Sequence, residues 1–257
     1  MKAMTKPSIT LIGNGKMALS IAKGLQETYS LEVIGRNFHH LEEFERSVGT
    51  VIVKTLFSDA NCEGKTLILC VKPANLSEVS TLLTGKAKTL YSVLAGTSLA
   101  SLRCIHAHSY IRAMPNLAAE AGLSMTSLVG DPSVQEEALR LFQSIGMALW
   151  LESEKELDIA TALAGSGPAY LALIAEALCD GAVREGLKRE HAMTLMRGLF
   201  KGFGELIQTI HPALLKDNVM SPGGTTAAGY GALENAGVRD GCMEAIRSAS
   251  AKAKEMK

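Results

Sequence analysis

The sequence predicts an α/β protein: a doubly wound parallel sheet in the first half and an all-helical second half. Three observations predict it. Short apolar runs bounded by turn residues alternate with helical periodicity through the first half. A Gly-rich turn, Gly13-Asn14-Gly15-Lys16-Met17-Ala18, joins the first run to the first helical stretch. From about Glu154 the strand signals fade and apolar residues recur every three or four positions. The division therefore falls between residues 1–152 and 153–257.

The first strand is Ile9 to Ile12, and the helix after it carries Met17, Ile21 and Leu25 at four-residue spacing. "LEVIGRN" reads as a second strand, "KTLILCVKP" as a third and "KTLYSVLAG" as a fourth. The third is almost continuously apolar, as a strand buried on both faces should be. Strands separated by helical stretches imply right-handed βαβ crossovers and a parallel sheet.

The turn after the first strand fits GxGxxA, a permitted form of the dinucleotide fingerprint. Gly13 allows the tight turn, Gly15 lets the backbone approach a pyrophosphate, and Ala18 lets helix and strand pack closely. The helix N-terminus then offers N–H groups and partial positive charge to phosphates. Asn14, Lys16 and Met17 complete this set of cofactor-binding candidates. The competing reading is an ordinary tight turn.

Cofactor choice is read at the end of the second strand. An NAD site wants an acid there for the ribose 2′-hydroxyl. This chain offers Gly35, Arg36 and Asn37, with no carboxylate. A guanidinium matches phosphate geometry, so Arg36 and Asn37 favour NADPH, with NADH as the alternative. Otherwise Arg36 is a solvated surface charge. Val71, Lys72 and Pro73 end the third strand, and Ala95 and Gly96 end the fourth. Ligands of open α/β sheets bind outside the carboxyl ends of strands, which places both loops beside the nicotinamide half. Lys72 also reads as a plain loop lysine.

In the second half, "GSGPAYLALIAEALCDGAVREGL" has Ser166 near a helix start and Pro168 in the first turn. Tyr170, Leu171, Leu173, Ile174 and Leu178 cover more than one face. Such a helix is buried on several sides, and in a region this small the cover is another subunit. "HAMTLMRGLFKGFGELI" continues with Leu195, Leu199, Phe203 and Leu206. Its Met-rich face reads as core.

"SPGGTTAAGYGALENAG" follows. Pro222 interrupts one helix and suits entry to the next. Gly223 and Gly224 leave the backbone N–H groups open, and Thr225 and Thr226 add hydroxyls at the same helix start. Together they form an anion site with a hydroxyl donor beside it, suited to a small carboxylate. The bland reading is a helix capped by threonine after a flexible loop.

Bulk properties exclude other classes. The chain has 257 residues and is 47% hydrophobic, enough for a sizeable core. Lys plus Arg is 26 and Asp plus Glu is 26, which gives no electrostatic footprint for nucleic acid or an anionic membrane. Cys62, Cys70, Cys104, Cys179 and Cys242 form no CxxC pair and suit a reducing cytosol. Met1 to Lys6 lacks the apolar run of a signal peptide, and no apolar segment of 18 residues stands out, so no membrane span is expected. His39-His40 and His106-Ala107-His108 lack an acid or cysteine at supporting spacing, so no metal is expected. Trp150 reads as packing, and the "AKAKEMK" tail as a solvated helix end.

Nearly end to end, the chain resembles the pyrroline-5-carboxylate reductases. "GNGKMA", "CVKP", "SVLAG", "RAMPN", "ALAGSGPAY", "LKDNV" and the glycine–threonine stretch followed by "LENAGVR" carry the resemblance, the last being the family's signature region. It implies a Rossmann-type domain followed by a helical dimerisation domain with interleaved subunits, a homodimer that in the family often assembles further into a decamer of five dimers. It implies cytoplasmic reduction of Δ1-pyrroline-5-carboxylate to L-proline by NAD(P)H, the last step of proline synthesis. Thr226 would contact the ring nitrogen. Backbone N–H groups around Gly224, Thr225 and Thr226 would hold the carboxylate, with Ser221 and Gly223 completing the substrate loop. Glu154 and Lys72 match positions that face substrate or cofactor. Asn116 stands as a polar contact near the nicotinamide. Relatives usually read MPNTPA where this chain has Met114-Pro115-Asn116-Leu117-Ala118-Ala119. Leu117 lacks the hydroxyl and Ala118 the rigid turn residue, a departure from the family pattern that bears on cofactor contacts or substrate tolerance.

Three rival readings remain at this point. A β-hydroxyacid dehydrogenase would want a lysine on the first long helix, and "GSGPAYLALIAEA" has none. A broader imine reductase fits Leu117 and Ala118. A non-catalytic NADPH sensor would not need Gly223 to Thr226.

Overall fold

The computed structural model describes residues 6–255. The readings of Met1–Thr5 and of the tail's Met256 and Lys257 lie outside them. The described chain divides into two compact units, one running to Ser166 and including the C-terminal stretch from Ser248, the other Gly167–Arg247.

The first unit contains β1 (Ser8–Ile12), α1 (Lys16–Leu25), β2 (Ser30–Gly35), α2 (Phe38–Val48), β3 (Val53–Leu56), β4 (Thr66–Leu69), α3 (Leu76–Leu82), β5 (Ala87–Ser92), α4 (Leu99–Leu102), β6 (Ala107–Met114), β7 (Ser124–Gly130), α5 (Gln135–Gln143), β8 (Gly146–Trp150) and α6 (Glu154–Ala160). Its eight strands lie in the order β3-β2-β1-β4-β5-β6-β7-β8. The sheet is wound on both faces. Leu11, Val33, Ile68 and Tyr91 pack on one side with residues of α1, α2 and α5. Their sequence neighbours Ile12, Ile34, Leu69 and Leu90 pack on the other with Val79 and Leu102. Alternate side chains are thus all buried, which is why these strands read as apolar runs.

Two features differ from the expected parallel sheet of four strands. Four further strands, β3, β6, β7 and β8, extend it to eight. In addition, β7 runs antiparallel to β6, while β8 is parallel to β7. The connection at residues 115–123 is shorter than the dozen or so residues a parallel crossover needs, so the chain must return antiparallel. Trp150 packs against the first core cluster, as expected.

The second unit holds α7 (Gly167–Arg184), α8 (Arg189–Leu206), α9 (Pro212–Val219), α10 (Thr225–Asn235) and the start of α11 (Val238–Glu255). Cys179 and Ala192 are its buried hydrophobic residues among those described. Leu173, Leu195, Leu199 and Phe203 are exposed at 66%, 64%, 59% and 45%. An apolar groove of about 330 Å³ lies between α7 and α8, lined by Leu178, Leu195, Met196 and Leu199 among others. Such a unit lacks a core of its own. The expectation that no apolar stretch reaches 18 residues does not hold: within Glu154–Arg184 one window reaches a mean hydropathy of 1.4. Small residues (Ala160, Ala162, Ala164, Ala169, Ala172, Ala175) raise the average without forming a conspicuous leucine-rich run.

Candidate active site

The glycine turn has the geometry a dinucleotide requires. Gly13 has φ +102°, in the region that favours glycine, and a Cβ there would lie 3.1 Å from the Cys70 carbonyl oxygen and from Val71 Cγ1. A Cβ on Gly15 would meet nothing within 4 Å, so space is open beside its backbone. Gly15 is the N-cap of α1 and brings no side-chain cap, leaving the first-turn N–H groups to an external acceptor. β1 lies between β2 and β4, so the turn sits where the sheet's winding reverses, with Val71, Lys72 and Pro73 following β4. Lys72 and Pro73 are exposed, as are Lys16 and Arg36. These residues fit an NADP(H)-type dinucleotide.

At the end of β2, Asn37 caps α2 by accepting from the His40 N–H at 3.3 Å. Arg36 Nη2 donates to Glu78 Oε2 at 2.7 Å, with both side chains more than half exposed. The expectation that His39 and His40 lack a supporting acid needs correction: Glu43, one helical turn from His39, brings three ligand-type atoms within 4.8 Å of one another. All three residues are exposed.

The loop after β5 contains Ala95 and buried Gly96, the latter at φ +67°. It is tied down from behind. Glu154 Oε1 accepts from the Leu99 N–H at 3.0 Å and from Arg112 Nη1 at 2.8 Å. Arg112 Nη2 donates to Asp158 Oδ1 at 3.1 Å, and the Arg112 and Asp158 side chains are 1% and 3% exposed. One oxygen of Glu154 thus links the start of α4, just after this loop, with β6 and α6. Arg112 and Asp158 are not among the candidates that sequence offers. The available signal is an arginine inside an otherwise apolar strand, "SYIRAM".

Asn116 is buried and engaged at both ends of its amide. Nδ2 donates to the Ala164 carbonyl at 3.1 Å, on the π-helical turn Thr161–Gly165, and Oδ1 accepts from the Ala118 N–H at 3.1 Å. A proline at position 118 would have no N–H for that second bond. Ala118 therefore replaces ring rigidity with a hydrogen bond, while Leu117 is left 60% exposed.

In the second unit, Gly223 has φ +70°. A Cβ at Gly224 would come within 2.4 Å of Ser221 Oγ, so a side chain there would make that hydroxyl swing aside. Gly224 is the N-cap of α10 and supplies no side-chain cap. Helix geometry leaves the N–H groups of Thr225, Thr226 and Ala227 without intrahelical acceptors. Thr225 and Thr226 are exposed. One expectation is corrected here: the Gly224 N–H is not open to a ligand, because it donates to the Ser221 carbonyl at 3.0 Å and closes the preceding turn. Further along α10, Glu234 accepts from Tyr230 and Arg239. The Arg239 hydrogen bond, then that of Tyr230, holds its carboxyl down at about 2.

Comparison with known proteins gives these features a common context. Residues 154–256 match the family described as pyrroline-5-carboxylate reductase dimerisation, and residues 8–96 match that described as NADP oxidoreductase coenzyme F420-dependent. The chain is 36% identical over 259 residues to the pyrroline-5-carboxylate reductase of Synechocystis sp., an alignment covering 96% of this chain and 97% of that one. This chain belongs to the pyrroline-5-carboxylate reductase family. Two solved reductases share its fold. That of Streptococcus pyogenes gives a TM-score of 0.85 at 31% identity, covering 96% of this chain and 98% of that one. The pyrroline carboxylate reductase of Plasmodium falciparum, solved with NADP bound, gives 0.82 at 25% identity and covers 99% of each chain.

Membership explains the coreless helical unit. A dimerisation domain implies a homodimer, and the leucines of α7 and α8 that this chain by itself leaves exposed lie within the matched region. The apolar stretch Glu154–Arg184 falls within this dimerisation match. The architecture is that expected: a nucleotide-binding sheet followed by a helical dimerisation domain.

Proposed function

We propose that this chain reduces Δ1-pyrroline-5-carboxylate to L-proline, the final step of proline biosynthesis, with NADPH as the preferred donor. The end-to-end relationship to the reductases carries this reading. NADPH supplies hydride to the C=N carbon. The chain supplies placement. Gly13, Asn14, Gly15, Lys16 and Met17 hold the pyrophosphate, and Arg36 and Asn37 take the 2′-phosphate end. Val71, Lys72, Pro73, Ala95, Gly96 and Asn116 border the nicotinamide. The substrate carboxylate rests on the Thr225 and Thr226 N–H groups, with Gly223, Gly224 and Ser221 shaping the turn. The Thr226 hydroxyl donates to the ring nitrogen, where electron density accumulates as the C=N bond is reduced. The proton that the nitrogen gains comes ultimately from solvent, and the Thr226 hydroxyl orients its arrival as a hydrogen-bond donor without remaining deprotonated. Glu154 acts as a positioning residue, holding the start of α4 behind the Ala95–Gly96 loop.

In this reading residues 1–152 form the dinucleotide-binding domain and 153–257 the dimerisation and substrate domain. The dimer works in the cytoplasm and is the building block of a decamer. Purified protein is expected to oxidise NADPH only when pyrroline-5-carboxylate is added, followed as loss of nicotinamide absorbance. Tight NADPH binding without turnover would replace this reading with that of a sensor.

A further inference from the structure

Arg36 is the residue placed to meet a 2′-phosphate, yet it is already engaged. Its Nη2 donates to Glu78 Oε2 at 2.7 Å, and both side chains are more than half exposed, so the pair is accessible to solutes. The two residues reach this point from separate elements: Arg36 follows β2, and Glu78 stands in the first turn of α3, after β4. They therefore face each other across the side of the sheet where the adenosine half of a dinucleotide lies in the reading above.

We propose that Glu78 sets how strongly this chain distinguishes NADPH from NADH. The inference rests on the proposed dinucleotide site. A 2′-phosphate carries roughly −1.5 to −2 charges at neutral pH. Brought to the Arg36 guanidinium, it meets the Glu78 carboxylate as a like charge and as a rival for the same donors. NADH presents a 2′-hydroxyl instead, which can donate to a carboxylate. An acid in that role is what the sequence lacks at the end of β2. Here α3 supplies it from 42 positions along the chain. Glu78 thus weakens NADPH and supports NADH, while Arg36 does the reverse, and their pairing leaves both cofactors usable.

The test is direct binding, read by nicotinamide fluorescence, of NADPH and NADH to the intact dimer and to Glu78→Gln and Arg36→Ala. A unit like charge removed at several ångströms near a surface predicts about three- to tenfold tighter NADPH binding by Glu78→Gln. NADH should bind no tighter, and the NADPH gain should shrink at high salt as the charges are screened. Arg36→Ala should weaken NADPH more than NADH. Unchanged thermal unfolding is expected for Glu78→Gln, since an exposed ion pair contributes little to stability. An unaltered NADPH affinity, or equal changes for both cofactors, would overturn the role given to Glu78. Failure of the unaltered protein to bind either dinucleotide would instead overturn the cofactor reading on which it rests.

Discussion

Thr226→Ala is expected to lower kcat by about ten- to a thousandfold, the range for removing one hydrogen-bond donor aimed at charge that develops in the transition state. The side chain is exposed at the first turn of α10, so its loss should leave the fold intact. KM should change much less, because the carboxylate is held by backbone N–H groups that the substitution keeps. Thr225→Ala provides the contrast: it retains its N–H and should cost little in kcat. Steady-state kinetics of both variants separate the two roles. Full activity in Thr226→Ala would remove Thr226 from the chemistry and leave α10 as a carboxylate anchor only.

Arg112→Ala is expected to be the most damaging substitution to stability. It would remove the guanidinium that both Asp158, 3% exposed, and Glu154 bind, and losing one member of a buried ion pair costs about 3–5 kcal/mol. For a chain of this size that corresponds to a fall in Tm of roughly 6–20 °C, measured at fixed protein concentration because the dimer couples to folding. The combination Arg112→Met, Glu154→Gln and Asp158→Asn should recover much of the loss, since the whole cluster of charges is then neutralised together. A Tm for Arg112→Ala within about a degree of the unaltered protein would mean that solvent or another group already compensates the acids.

The parts of the fold legible in sequence are those where local chemistry and tertiary role agree. β1, β4 and β5 are apolar because both their faces are covered, and Gly13 and Gly15 have no better use than a tight, open turn. Where the two diverge, the sequence is silent. β3 is a short edge strand whose Val53 is 62% exposed. In β7, Ser124 and Thr126 are buried yet polar, satisfied by each other at 3.2 Å, while the Asn116 N–H donates to Ser124 Oγ at 3.1 Å. β6 carries a buried arginine. None of these follows the alternation that marks a strand.

The candidate site shows the same division. Gly223, Gly224 and the threonines announce a helix start because glycine and threonine there serve the backbone directly. Partnerships over long separations are not legible: Arg36 with Glu78, Arg112 with Asp158, Asn116 with Ala164. Such pairs follow from strand order, which periodicity does not reveal. The Gly224 N–H shows the limit on a smaller scale, since its bond to Ser221 depends on the φ of Gly223.

A crystal structure of the dimer with NADPH and L-proline tests the central claim most directly. It should place the proline carboxylate within hydrogen-bonding distance of the Thr225 and Thr226 N–H groups, with the ring nitrogen near Thr226 Oγ1 and the nicotinamide C4 facing the ring carbon beside that nitrogen. Proline bound elsewhere, with the N-terminus of α10 facing only solvent, would contradict it.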